Sequence, residues 1–295
     1  MRIFVAGATG VVGRLLIPKL VHANHEVTGM TRTAERKAII EGLGAHAVTG
    51  DALDREGIRS LLEDIKPEVV IHQLTSLADR DFVQNTRIRV NGTRNLVDAS
   101  LQSGVDRMIG QSVAWAYEAG AGPASEEVPL DIVAPAPRRS LLEGIVALEQ
   151  AVSKVPQHVI LRYGLFYGPG TWYAGDGFMA AQVRQQRVAA TAGVTSFIHV
   201  EDAANAAFLA LDWPTCTVNI VDDEPASGMD WLPVYAHALG APLPVAQTEH
   251  EPWERGASNE KARRELGWQP MYPTWRTGLP TSVRSIDGGF GTPDS

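Results

Sequence analysis

Short apolar runs alternate with amphipathic stretches through roughly the first half of the chain, and the spacing changes from a period of two to a helical period at each switch. The apolar runs predict strands over residues 2–6, 26–31, 45–48, 68–72, 105–110 and 157–163. Between them the pattern predicts helices over 11–22, 33–42, 54–64, 82–103 and 140–153, with Asp54 placed to cap the third. Strands that alternate with helices in this way form βαβ units, so the expected class is α/β, a doubly wound parallel sheet covered by helices on both faces. After Gly164 the rhythm breaks: Gly168-Pro169-Gly170 and Gly175-Asp176-Gly177 bracket Trp172-Tyr173, and prolines recur from residue 213 onward. A helix over Glu201 to Leu211 and a strand over Thr217 to Val221 then return to the first pattern. The expected organisation is a large domain over 1–167, joined by 196–221, with a smaller C-terminal substrate lobe from 168–195 and 222–285, and a flexible tail over 286–295.

Composition narrows the class of protein. With 295 residues and 44% hydrophobic content, the chain buries a core without metals or disulfides. A formal charge of -8 offers no basic face for nucleic acid or an anionic membrane. Cys216 is the single cysteine, which excludes an intramolecular disulfide and points to a reducing, cytoplasmic setting. The opening run Arg2-Ile3-Phe4-Val5-Ala6 is too short for a signal sequence, and no stretch reaches the ~18 apolar residues of a membrane span. His22 and His25 lack a supporting carboxylate or cysteine cluster, so no metal site is expected.

The candidate chemistry begins at the first strand-to-helix turn, Gly7-Ala8-Thr9-Gly10-Val11-Val12-Gly13. A dinucleotide pyrophosphate needs a tight turn, close approach of backbone amides and the positive end of a helix, and the three glycines fall where those needs arise. The GxxGxxG spacing acquires meaning from its setting between a strand and a helix, and the expected fold is Rossmann-type. Past the second strand stands Arg32, followed by Arg36 and Lys37, where a carboxylate would select a free ribose 2′-hydroxyl. A guanidinium suits a 2′-phosphate, so the expected cofactor is NADP, with NAD the alternative if these cations only solvate a helix start. Gln73-Leu74-Thr75, after the fourth strand, pass beside the pyrophosphate and offer backbone contacts.

Seven landmarks in order resemble the extended short-chain dehydrogenase/reductase family, also described as NAD-dependent epimerase/dehydratases. They are the opening glycine turn, Gly50-Asp51, Val90-Asn91-Gly92-Thr93-Arg94-Asn95-Leu96, Gln111-Ser112, Leu161 through Gly170, Phe197 through Asp202, and Leu266-Gly267-Trp268-Gln269-Pro270. The resemblance implies an adenine contact at Asp51 with Ala52 beside it, a cofactor contact at Tyr163, and a serine ending the fifth strand at Ser112. It also implies a homodimer through helices 82–103 and 140–153. His199 and Asp202 match a structural turn of the family, not a catalytic pair.

The same resemblance exposes departures. The family's acid/base tyrosine has a lysine four residues on, yet none of the six tyrosines here is followed by lysine at that place. Aligning on Glu149 puts Leu141 at the tyrosine position and Ile145 at the lysine position. Members that take sugar nucleotides carry an asparagine and an arginine for the diphosphate; Leu165 and Thr195 stand there, which argues against a nucleotide sugar. Ser112 is the expected donor to a substrate oxygen, and Tyr117 the expected replacement acid. Trp115, Tyr167, Trp172 and Tyr173 are the expected substrate contacts, suited to a small, flat, apolar molecule. Arg138 and Arg139 read as a solvated helix start, or as contacts to a phosphate or acidic substrate. The sequence reading is therefore an NADP(H)-dependent oxidoreductase or epimerase-type enzyme on a small carbonyl or alcohol. The alternatives are a non-catalytic dinucleotide sensor or scaffold, and a redox-neutral dehydratase, cyclase or isomerase.

Overall fold

The computed structural model describes residues 1–77 and 80–284, so the tail expected over 286–295 lies outside the described residues. The chain folds as a Rossmann-type doubly wound sheet. Its first six strands are β1 (Arg2–Ala6), β2 (Glu26–Thr31), β3 (His46–Thr49), β4 (Val69–His72), β5 (Arg107–Val113) and β6 (Gln157–Tyr163). Two short pairs follow from β7 (Leu165–Tyr167), β8 (Val194–Thr195), β9 (Phe197–His199) and β11 (Ala226–Ser227), while β10 (Cys216–Ile220) rejoins the main sheet. The seven-stranded order is β10-β6-β5-β4-β1-β2-β3, parallel throughout. The direction of winding reverses between β1 and β4, and ligands of such sheets bind at the carboxyl ends of the strands beside that switch.

Burial on both faces explains why the strands read as continuous apolar runs. In β1, Ile3 and Val5 join a core with Leu16 and Leu20, whereas Phe4 and Ala6 join another with Leu96 and Leu148. Those partners come from α1 (Val11–His22) on one face, and on the other from α5 (Thr93–Gln102) and α6 (Arg138–Val152). α2 (Lys37–Gly42), α3 (Arg55–Ile65) and α4 (Phe82–Arg87) complete the first winding. Asp54 caps α3 as expected, its carboxylate accepting the Gly57 N–H at 3.1 Å.

Three boundaries differ from the expectation. The helix expected over 82–103 is interrupted by a π-helical turn, Ile88–Gly92, whose Gly92 packs where a Cβ would lie 3.2 Å from that of Ala52. α2 is preceded by a tighter turn over Ala34–Arg36. Most consequentially, β5 runs on to Val113, which pairs with Tyr163 of β6, so Ser112 sits inside a paired strand.

The smaller lobe carries its own aromatic core of Tyr167, Tyr173, Phe197, Trp231, Tyr235 and Trp275. It is built on α7 (Phe178–Arg184), α9 (Gly228–Ala238) and α11 (Trp275–Arg284). Between them, α8 (Val200–Leu209) packs on α1 and α10 (Glu260–Arg264) on β10. Among the described residues no helix is long and apolar enough to cross a membrane.

Candidate functional site

At the end of β1 the backbone turns sharply: Gly7 has φ 96°, and the Gly10 N–H donates to its carbonyl at 3.1 Å. A Cβ at Gly7 would collide with the Gln73 carbonyl, and one at Gly13 with the carbonyls of Gly7 and Ala8. Arg14 braces the turn through Nε to the Thr9 carbonyl at 2.9 Å. α1 starts at Val11 with Gly10 as its cap and no capping side chain, leaving first-turn amides directed outward. This cradle fits two linked phosphates on the helix start.

The residues named around it fall into two groups. Arg32 and Arg36 are exposed past the end of β2, and Asp51 is exposed with Oδ1 accepting the Leu53 N–H at 2.9 Å. Ala52 is buried, its carbonyl accepting from Asn95 at 2.9 Å. On the other side, the Gln73 N–H donates to the Ala6 carbonyl at 2.7 Å and the Leu74 N–H to His72 Nδ1 at 3.2 Å, with Thr75 half-buried beyond them. Gln73 is 5% exposed, yet its carboxamide makes no well-aligned hydrogen bond, with the Tyr163 hydroxyl within its reach. Tyr163 is packed inside the sheet's core, donating to the Ala203 carbonyl at 3.2 Å, and burial pushes its phenol pKa up.

A cleft of about 410 Å³ opens between the sheet's carboxyl end and the smaller lobe. Trp115 and Tyr117 from the loop after β5, Leu141 from α6, Leu165 from β7, Thr195 from β8, Trp231 from α9 and Trp253 from the loop before α10 form its walls. Leu165 and Thr195, the two neutral residues noted above, both face this space.

The expected donors behave differently from the expectation. Ser112 is 3% exposed and its Oγ donates to Glu149 Oε1 at 2.6 Å, because alternation along β5 turns it toward α6 and away from the cleft. Glu149 also holds Arg162 in a two-point contact at 2.9 and 2.7 Å. Burial opposes the Arg162 charge, but the hydrogen bonds and charge of Glu149 outweigh it and raise its pKa. The guanidinium lies 4.9 Å from the centre of the Tyr117 ring. Tyr117 borders the cleft but is 1% exposed, packed among Ala114, Ala124 and Val221, and its hydroxyl donates to Asn219 Oδ1 at 2.5 Å. Burial pushes that phenol up to about 12 despite the nearby Arg162, so it holds its proton at neutral pH.

Tyr167 and Tyr173 are not cleft residues. They are 0% and 7% exposed and pack in the lobe core, since a lobe this small has few other large side chains to bury. Trp172 is half-buried against Phe178 and Phe82, at centroid distances of 5.8 and 6.4 Å. Arg138 is not a solvated helix start: it is 8% exposed and paired with Asp131 at 2.9 Å. His199 caps α8 through Nδ1, and Asp202 accepts the Met271 and Tyr272 N–H groups at 2.7 and 2.9 Å, which is structural work. Leu141, Trp231 and Trp253 went unassigned as substrate contacts in the sequence reading. Trp253 stands in a segment without periodicity, and only the lobe's closure brings it beside Trp115. Among the described residues, no group of three or more His, Cys, Asp or Glu is placed to hold a metal.

Comparison with known proteins agrees with this architecture. Residues 3–220 match the NAD dependent epimerase/dehydratase family. The chain is 40% identical to the 3-diazoavenalumate denitrifying reductase of a Streptomyces species, over 95% of this chain and 99% of that protein. It is 24% identical to a putative UDP-glucose 4-epimerase of Methanocaldococcus jannaschii, over 91% and 93%. In three dimensions it resembles the Bordetella bronchiseptica enzyme WbmG in complex with NAD, with a TM-score of 0.79, 21% identity, and coverage of 97% and 94%. It also resembles the Thermotoga maritima UDP-glucose 4-epimerase with UDP-glucose, with a TM-score of 0.77, 20% identity, and coverage of 97% and 99%. The chain belongs to the NAD dependent epimerase/dehydratase family.

Proposed function

We propose that this chain is an NADP(H)-dependent reductase that acts on a flat aromatic substrate and replaces a diazo group by hydrogen. The observation that carries this reading is the character of the cleft: three tryptophans and Leu141 line it, while the hydroxyls of Ser112 and Tyr117 are engaged by Glu149 and Asn219. Reducing a carbonyl, the substrate class read from the sequence, requires a donor at the carbonyl oxygen. Leu141 and Ile145 occupy the places of the family's tyrosine and lysine, so the ordinary donor is missing as well. When bound, the nicotinamide cofactor would supply hydride; at a diazonium-bearing ring carbon, the C–N bonding electrons leave with dinitrogen, and no atom needs a proton from the protein. The relative described as a 3-diazoavenalumate denitrifying reductase supports the same chemistry.

The chain's own residues hold and orient. The glycine cradle with Thr9, Val11 and Val12 receives the pyrophosphate, Asp51 and Ala52 the adenine side, and Arg32 the 2′-phosphate. Gln73, Leu74 and Thr75 border the phosphates, and Tyr163 packs beneath the cofactor. Trp115 and Trp253 present their rings to the substrate, and Tyr117 packs at the border of the cleft with its hydroxyl held by Asn219. Leu165 and Thr195 are neutral, and the guanidinium of Arg255, which also lines the cleft, is engaged by the Gly122 and Ala121 carbonyls, which argues against a nucleotide diphosphate there. The protein assembles as a homodimer through α4, α5 and α6, whose outer surface carries exposed Phe82, Val83 and Leu101.

The test supplies 4-deuterated NADPH with an arenediazonium salt, and in parallel with an aromatic ketone. The expected product is an arene carrying deuterium where nitrogen was bound, with NADPH consumed in equal amount. Ketone reduction without loss of dinitrogen would return the carbonyl reading, and cofactor binding without turnover of either would favour a sensor.

A further inference from the structure

Arg138 sits directly behind the aromatic wall of the cleft. Its guanidinium carbon lies 3.9 Å from the centre of the Trp253 ring and 5.9 Å from that of Trp115. Its Nη2 donates to the carbonyls of Trp115 and Tyr117 at 3.2 and 3.0 Å, and its Nε to Asp131 at 2.9 Å. Trp115, Tyr117 and Trp253 all line the cleft, whereas Arg138 does not, so the guanidinium backs these rings from the protein side. Leu141, one turn along α6, faces the cleft itself.

The two segments that Arg138 spans are already tied together through their backbones. The Ala124 N–H donates to the Gly256 carbonyl at 3.0 Å and the Ser258 N–H to the Ala124 carbonyl at 2.9 Å. Arg255 adds bonds to the carbonyls of Gly122 and Ala121 at 2.6 and 2.7 Å. Those contacts fix the chain paths but leave the orientation of the Trp253 ring undetermined. A planar cation over one face of an indole is attracted by its quadrupole and holds it in a single orientation.

We propose that Arg138 is a positioning residue for substrate specificity: it sets the Trp115 and Trp253 rings as a rigid wall against which a flat aromatic substrate stacks. This rests on the reading of the cleft as an aromatic-substrate site, but not on the diazo chemistry. It acts through the two rings and touches neither substrate nor cofactor.

The test measures quenching of tryptophan fluorescence by 2-naphthol, an aromatic probe that cannot be reduced, in the full-length protein. Arg138→Met is expected to weaken naphthol binding by about tenfold, with NADPH affinity unchanged. Arg138→Lys keeps the charge without the planar fork and is expected to recover only part of the loss. With an arenediazonium substrate, KM is expected to rise in parallel while kcat moves by less than about twofold. Should Arg138→Met fail to fold, Trp253→Leu removes the closer ring instead; Arg138→Lys added to it is then expected to cost clearly less than Arg138→Lys alone, because only the contacts to Trp115 are left to lose. Naphthol binding that is unchanged in folded Arg138→Met, fully additive losses in the double variant, or wild-type protein that ignores naphthol would each overturn the proposal. Wild-type protein that binds naphthol and leaves diazonium salts untouched would sink the diazo reading and leave this one standing.

Discussion

Ser112 and Gln73 are two buried polar residues in opposite conditions, and each condition carries its own expected outcome. The Ser112 hydroxyl is satisfied by Glu149, which also holds Arg162, so its loss removes a charge-assisted bond without removing a reactive group. Ser112→Ala is therefore expected to lower unfolding free energy by about 1–2 kcal/mol, with kcat changed by less than about threefold. Denaturant unfolding and steady-state rates check this, and a loss of turnover at full stability would return Ser112 to the chemistry. Gln73 is the reverse case, because its carboxamide is buried beside the glycine cradle without a well-aligned hydrogen bond, the Tyr163 hydroxyl lying within its reach. A buried unsatisfied amide costs about 1–3 kcal/mol, so such a group is retained where a ligand satisfies it. Gln73→Leu is expected to raise the Tm of the cofactor-free protein and to weaken NADPH binding by calorimetry. A lower Tm with unaltered affinity would make the carboxamide an ordinary packing group.

Elements explain what each side chain is able to reach. β2 ends at Thr31, which leaves Arg32 in solvent past the sheet edge, on the side where the adenosine ribose of a dinucleotide lies in this fold. Arg32→Ser is expected to weaken NADPH binding by about tenfold or more and to leave NADH binding nearly unchanged, since only the former loses a phosphate partner. Equal effects on both would place Arg32 outside the discrimination. The strands and the glycine turn were legible in sequence because each depends on neighbours close along the chain: both sheet faces are covered, and Gly7 and Gly13 have no room for a Cβ. Ser112 and the aromatic set were read less well for a physical reason. Whether Ser112 meets the cleft depends on how far β5 pairs with β6, and the three residues of that extension reverse the inference. Tyr167 and Tyr173 are indistinguishable in sequence from Trp115, yet the lobe's need for a core claims them, while Trp253 reaches the cleft from a loop with no period to read.

For the molecule as a whole, buried titratable groups divide into two sets that pull stability in opposite directions with pH. His72 lies between Thr93 Oγ1 at 2.8 Å and the Leu74 N–H at 3.2 Å, and burial, reinforced by Arg89, lowers its pKa to about 4. Burial likewise lowers His199 to about 4, against the pull of Glu201. With unfolded values near 6.5, these histidines favour the folded state above that pH, and the benefit is lost as pH falls from about 6.5 toward about 4. For His72 that amounts to about 3 kcal/mol, at about 1.4 kcal/mol per pKa unit. Asp222 runs the other way: burial raises it to about 8 although it accepts the Glu224 and Trp275 N–H groups, and the charges of Glu224 and Asp223 add to the rise. Asp202 shifts in the same direction. The folded state then keeps a proton that the unfolded chain releases near 3.8, so the Asp222 contribution is present at low pH and is lost as pH climbs toward about 8. Between about 4 and 6.5 the two histidines pull against the aspartates, and above 6.5 the aspartates act alone, so unfolding free energy is expected to decline from near neutrality toward pH 8. Urea unfolding across pH 5 to 9 checks this, with His72→Gln expected to weaken the acid-side loss and Asp222→Asn the alkaline-side loss. An alkaline decline that persists undiminished in Asp222→Asn would mean that the carboxylate tying down the start of α11 is charged in the folded protein.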